Sequence, residues 1–168
     1  MPISQMMLPE FDLEVANTRK VLERVPYDKI SYKPHEKSGT MGWLANHVAG
    51  LPGWCKETFT RDELDIAPDG KFVPEPVPAT REALLAKFDK CVAAGREAML
   101  AASDDVWMGN WKLLMTGKEI FAMPRAAVYR GMVMNHLIHH RAQLTVYLRL
   151  NDVAVPGLYG PSADEKSF

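Results

Sequence analysis

Between Pro124 and Leu150 the chain contains no further proline and no aspartate or glutamate, and this segment constrains the fold more than any other. Proline suits the first turn of a helix, where its missing N–H has no intrahelical partner to lose. Asn151-Asp152 provides a stop at the other end. In between, Val128, Met132, His136, His140, Leu144 and Tyr147 recur three or four residues apart, the spacing of one helical face. The segment is therefore expected to form a long helix whose inward stripe carries two histidines one turn apart.

Prolines divide the remainder. A first helix is expected from about Glu10 to Arg24, with Leu13, Val21, Leu22 and Val25 facing the core, ended by Pro26. Thr40 is a suitable N-cap for a second helix reaching about Phe59. Trp43, Leu44, His47, Val48, Leu51 and Trp54 form its apolar face, and Pro52 should kink or split it. Pro68, Pro74, Pro76 and Pro78 make residues 66–78 a long ordered loop. Thr80 caps a third helix to about Ala102, with Leu84, Leu85, Phe88, Val92 and Met99 inward. Ser103-Asp104-Asp105 reads as a turn or cap. Trp107 to Phe121, with Gly109 and Gly117, reads as either a loose hairpin or an extended crossover. Val153 to Phe168 reads as an extended tail. The expected architecture is one all-α domain over residues 1–168, a four-helix bundle with long crossover loops and an extended C-terminal tail.

Apolar residues make up 47% and charged residues 24% of the 168, the balance of an ordinary globular chain with enough length for a sizeable core. A formal net charge of −1 offers no electrostatic footprint for nucleic acid. No apolar run approaches the ~20 residues that span a bilayer. Met1 to Gln5 has neither the basic nor the apolar region of a secretory signal. Cys55 and Cys91 belong to no paired motif, as expected of reduced thiols in a cytoplasmic protein.

His136 and His140 lie on the inward stripe of the fourth helix, and His47 lies between Leu44 and Val48 on the second. Bundles build metal sites from such inward side chains on facing helices. Three imidazoles leave a position open for water or substrate, as catalytic rather than structural sites do. Zinc suits this donor set, and nickel and ferrous iron are compatible with it. His139, three residues from His136, competes with His140 for the role of third donor. His35, in a proline-containing loop, is expected to be solvated. Leu137 and Ile138 stand where a zinc-protease helix needs a glutamate, and the acid-free fourth helix lacks the Glu-x-x-His of a di-iron bundle. Cys55 lies eight residues beyond His47, about 12 Å along a straight helix, too far to share its metal. Arg141 is the candidate for holding a substrate anion, with Arg130 and Gln143 nearby. Trp43, Trp54 and Tyr147 are candidates to line a pocket, and Tyr159 to fold back over it.

Asn135-His136-Leu137-Ile138-His139-His140-Arg141-Ala142-Gln143-Leu144, the tail run Val155-Pro156-Gly157-Leu158-Tyr159-Gly160-Pro161-Ser162-Ala163-Asp164-Glu165, and Thr40-Met41-Gly42-Trp43-Leu44-Ala45-Asn46-His47 together resemble the DinB superfamily. The resemblance extends over nearly the whole chain. It implies an up-down-down-up bundle, often dimeric, and a divalent metal held at the positions of His47, His136 and His140, so it favours His140 over His139. Characterised members of that superfamily include a mycothiol-dependent maleylpyruvate isomerase and bacillithiol transferases, and a related domain occurs in sulfoxide synthases of thiol-histidine biosynthesis.

The expected function is that of a metal-dependent enzyme activating a low-molecular-weight thiol for S-transfer or isomerisation of a small-molecule substrate. Two alternatives stand beside it. One is metal-dependent hydrolysis, with a base such as Glu57 arriving from elsewhere in the fold. The other is a non-enzymatic, metal-stabilised stress-response or binding bundle. A homodimer is also expected, since Tyr129, Val133, Leu137 and Leu148 place apolar groups on further sides of the fourth helix.

Overall fold

The computed structural model describes residues 1–166. Helix α1 spans Ile3–Leu22 and runs straight through Pro9, beginning earlier than the sequence suggested. Leu8, Phe11, Val15 and Leu22 form its buried stripe, and Leu13 lies off it, more than half exposed. The second helical stretch is split where Pro52 predicts. Helix α2 is Met41–Gly50, a 3-10 turn covers Leu51–Gly53, and α3 is Trp54–Thr60. Helix α4 is Arg81–Ala101 and α5 is Asp104–Met108. The caps are those read from sequence: Thr40 accepts from the Trp43 N–H, Thr80 from Ala83 and Ser103 from Val106. Helix α4 packs against α1, α2 and α3, while α7 (His136–Arg149) packs against α1 and α2. Phe11, Leu22, Leu44, Leu51, Phe88 and Leu144 belong to the buried core so enclosed.

The chain is not an all-α four-helix bundle. Strand β1 (Glu63–Asp65) pairs in parallel with β2 (Asn110–Met115), which pairs antiparallel with β3 (Lys118–Pro124). Trp111 and Leu113 alternate inward from β2 and form a second buried cluster with Val128. The hairpin turns at Thr116-Gly117, both at positive φ (54° and 73°), the backbone of a tight two-residue hairpin that glycine adopts without strain. Asp65 secures it across the sheet, accepting from the Thr116 and Gly117 N–H groups at 3.0 and 2.7 Å and from Ala67 at 2.9 Å. These bonds hold its carboxyl below the ordinary carboxylate value, Ala67 contributing most. Of the two readings left open for residues 107–121, the hairpin is therefore the one adopted. Strand β1 had no signal, since three residues are too few to show alternation.

Arg125 locks the sheet to the helices. Its buried guanidinium donates to the carbonyls of Thr58, Asn110 and Arg61 at 2.8, 2.8 and 3.0 Å, and pairs with Asp62 at 2.8 Å. The long helix expected after Pro124 is not uniform. A short α6 (Arg125–Val128) leads into a π-helical stretch, Tyr129–Asn135, before α7 begins. Val128 and Met132 consequently pack with the sheet cluster. Tyr129, Val133, Leu137 and Leu148 are fully buried in the chain's own core and so leave no apolar face of that kind for a second copy. Val153 to Lys166 has no regular structure and is bound back by its side chains: Arg24 to Glu165 at 2.6 Å, Ser162 Oγ to the Val155 carbonyl at 2.7 Å, and Arg149 to Asp164. The expected tail ends at Phe168, and residues 167 and 168 lie outside the described residues. Among the described residues, no helix is long and apolar enough to cross a membrane.

Candidate metal centre

Helix α2 carries His47 and the first two turns of α7 carry His136 and His140. The π-helical stretch delivers His136. Such widened turns interrupt α-helices preferentially at functional sites, and here the side chains before it serve the sheet cluster while those after it face α2. Each of the three imidazoles is half-buried. They offer ring nitrogens that all lie within 4.8 Å of one another, and the group contains no carboxylate or thiol. The Nε2 atoms of His47 and His136 are 3.1 Å apart. Two nitrogen donors bonded tetrahedrally to zinc at ~2.0–2.1 Å stand about 3.3 Å apart, so this pair already has the spacing of shared ligands.

The other ring nitrogens set the tautomers. Nδ1 of His136 lies 3.2 Å from the Met132 carbonyl, and Nδ1 of His140 lies 2.7 Å from Oε1 of Gln143. A carbonyl oxygen only accepts, so each Nδ1 holds the proton and each Nε2 is left with a lone pair. This is the outer-shell support that metal-ligating histidines ordinarily have. Burial is the main cause that lowers the pKa of His47 from 6.5 to about 4, followed by His136, His140 and Lys87 as neighbouring cations or potential cations. Burial also lowers His136 and His140, opposed by the Met132 carbonyl and by Gln143 respectively. All three rings are consequently neutral near neutral pH, the form that binds metal. The Nε2 lone pair of His136 either accepts from His47 Nε2 at 3.1 Å or is free to share a cation with it, and three neutral imidazoles at this spacing fit a divalent metal.

His139 is exposed, its ring 4.9 Å from that of His140, and it is outside the three-histidine group. His35 is exposed and accepts from the Lys37 N–H. Cys55 is fully buried, which pushes its thiol far up, and Cys91 is half-buried and also raised, chiefly by burial. Trp43 lies parallel to His47, with 5.3 Å between ring centroids. Tyr147 donates to the Gly39 carbonyl, and Trp54 packs between the two hydrophobic clusters.

Arg141, the candidate for holding a substrate anion, has another occupation. Only 1% of it is exposed. Its guanidinium pairs with Glu14 at 2.7 Å and donates to the Glu14 carbonyl, to Thr18 Oγ1 and to the Tyr159 hydroxyl. Tyr159 in turn donates to Glu14 at 2.7 Å, so it folds onto this buried pair. Arg130 is paired with Glu10. Glu57 lies beside Arg61 at 3.0 Å on α3 and outside the histidine group. Sequence reasoning missed two supporting roles, the buried Glu14 carboxylate and the Gln143 amide. The latter was visible in principle, since His140 and Gln143 are three apart on one helix.

A crystal structure of a DinB-like protein from Bacillus cereus ATCC 10987 has the same fold, with a TM-score of 0.72 at 24% identity, covering 94% of this chain and 98% of that one. An uncharacterised protein of Bacillus subtilis (strain 168), YrdA, is 24% identical over 158 residues, which is 94% of this chain and 89% of that protein. Residues 4–167 match the DinB family, and the chain belongs to it.

Proposed function

We propose that this DinB-family protein is a metal-dependent enzyme in which His47, His136 and His140 hold a divalent ion, zinc, nickel or ferrous iron, with one position left open. The observation that carries this reading is the convergence of three neutral, half-exposed imidazoles with no carboxylate or thiolate among them. When bound, such a metal lowers the pKa of a small ligand and polarises its reaction partner. The chain's own contribution is orientation: the Met132 carbonyl and Gln143 fix two of the rings, and Trp43 backs the third. The choice of a low-molecular-weight thiol as the activated group, for S-transfer or isomerisation of a small-molecule substrate, comes from the DinB resemblance.

Hydrolysis has less support, because among the described residues no carboxylate belongs to the histidine group. A purely structural metal has less support too, because the rings are half-exposed rather than sealed. Elemental analysis of protein purified without a polyhistidine tag should find close to one equivalent of metal per chain. The loaded protein should then show thiol-dependent turnover in a panel of electrophiles. Metal-free protein that also fails to take up zinc would sink the whole reading; a metal with no thiol-dependent turnover would sink the enzymatic half of it.

A further inference from the structure

Trp43 is an indole left in water at the edge of the histidine cluster. Its surface is 45% exposed, whereas Trp107 and Trp111 are fully buried. One side of the ring lies parallel to His47, at an interplanar angle of 6°, and it meets His140 edge-on with 6.4 Å between centroids. The indole is held in this place from behind. A Cβ added at Gly39 would fall 2.5 Å from its Cε3, so only glycine at that position permits the observed packing. The Gly39 carbonyl is in turn bound at 3.3 Å by the Tyr147 hydroxyl from α7, and the Trp43 backbone N–H donates to the Thr40 cap at 3.0 Å. A large aromatic surface kept exposed and fixed in orientation forgoes burial free energy, and is pre-arranged for a ligand.

Chemistry narrows the ligand. Lys87, whose charge reaches His47, is already engaged by Asn46 Oδ1 at 2.8 Å and by the Glu75 carboxylate. Arg141 is engaged by Glu14. Neither of these two cations is free, and the exposed group at the edge of the cluster is the Trp43 indole. Indoles also attract cations, but the charge of Lys87, which reaches His47, and that of a divalent ion held by the histidines would oppose a positively charged ligand. We propose that Trp43 is the binding platform of this site, and that the molecule held there carries a flat aromatic or conjugated group lying against the indole while a donor atom reaches the metal. This deepens the metal reading above and rests on it.

Two probes with the same chelating head separate the two ideas: acetohydroxamate and benzohydroxamate, titrated calorimetrically into the zinc-loaded full chain, with metal content measured on the same samples. Wild type should bind benzohydroxamate about tenfold more tightly than acetohydroxamate, the scale of one added aromatic contact. Trp43→Ala, loaded with excess zinc, should lose that preference, read as the ratio of the two hydroxamate affinities. Trp43→Phe should retain most of the preference. Gly39→Ala, which forces the indole to shift without touching any ligand, should reduce it. Should Trp43→Ala fail to fold, the phenylalanine and Gly39 variants decide. Zinc bound with no ring preference in wild type, or a preference that survives both Trp43→Ala and Gly39→Ala, overturns the platform and leaves the metal reading intact. Wild type that binds no zinc overturns the metal reading, and the platform with it.

Discussion

His140 and Arg141 are consecutive residues of α7, yet their side chains occupy opposite kinds of surroundings. His140 turns toward α2 and joins two other half-exposed imidazoles, with no charged partner in the group. Arg141 turns toward α1, where Glu14, Thr18 and Tyr159 surround its fully buried guanidinium. In the second region polar groups are matched within the protein, as burial demands. In the first, three half-buried imidazoles converge with no carboxylate or thiol in the group. One residue apart, the same helix thus carries a buried ion pair matched within the fold and a donor of a group that could hold a metal.

The contrast can be broken most forcefully at Glu14. Glu14→Ala leaves the Arg141 guanidinium buried without its partner and should cost about 3–5 kcal/mol in urea unfolding. A loss under about 1 kcal/mol would mean the pair is not the structural lock described here. Next in size is metal removal. Wild type loaded with free metal at about a hundred times its Kd should lose ~2.7 kcal/mol on chelation. His140→Ala should melt at the same temperature with and without chelator, and a chelator effect of equal size in that variant would show the stabilising ion to be elsewhere.

Tyr159→Phe removes one hydroxyl from the buried pair and nothing from the histidines. It should cost about 1 kcal/mol and leave metal content unchanged. The smallest and most gradual effect is acid sensitivity of the metal-free protein. His47 falls from 6.5 to about 4 on folding, and His136 and His140 are lowered as well. Between these values the unfolded chain takes up protons that the folded one refuses. The contribution of these rings is therefore intact above 6.5 and is lost as pH falls toward and through 4. The urea midpoint of apo protein should drop across that window, and less so in His47→Gln. An apo protein equally stable at both ends of the window would show that the rings titrate as ordinary surface histidines.

Much of the helical skeleton was legible in local signals. Thr40, Thr80 and Ser103 cap where their side chains allow, and Pro52 breaks the second stretch, because each effect acts within a few residues. The first helix starts at Ile3 rather than about Glu10, with Pro9 inside it, and Leu13, expected inward, is more than half exposed. The sheet was only partly visible. Trp111 and Leu113 alternate, but β1 exists because β2 lies beside it. The inward placement of His136 and His140 was readable as a spacing; the π-helical turn ahead of them was not.

By itself the sequence determined which segments are helical, where prolines cut them, and that histidines would sit on two apolar faces. Only the tertiary structure decided that a three-stranded sheet replaces a pure bundle, how closely the rings of His47, His136 and His140 converge, and that Arg141 is buried against Glu14. The physical reason is range. Caps, breaks and periodicity are satisfied within a turn or two of chain, whereas strand pairing, ring convergence and a buried ion pair depend on residues that only folding brings alongside.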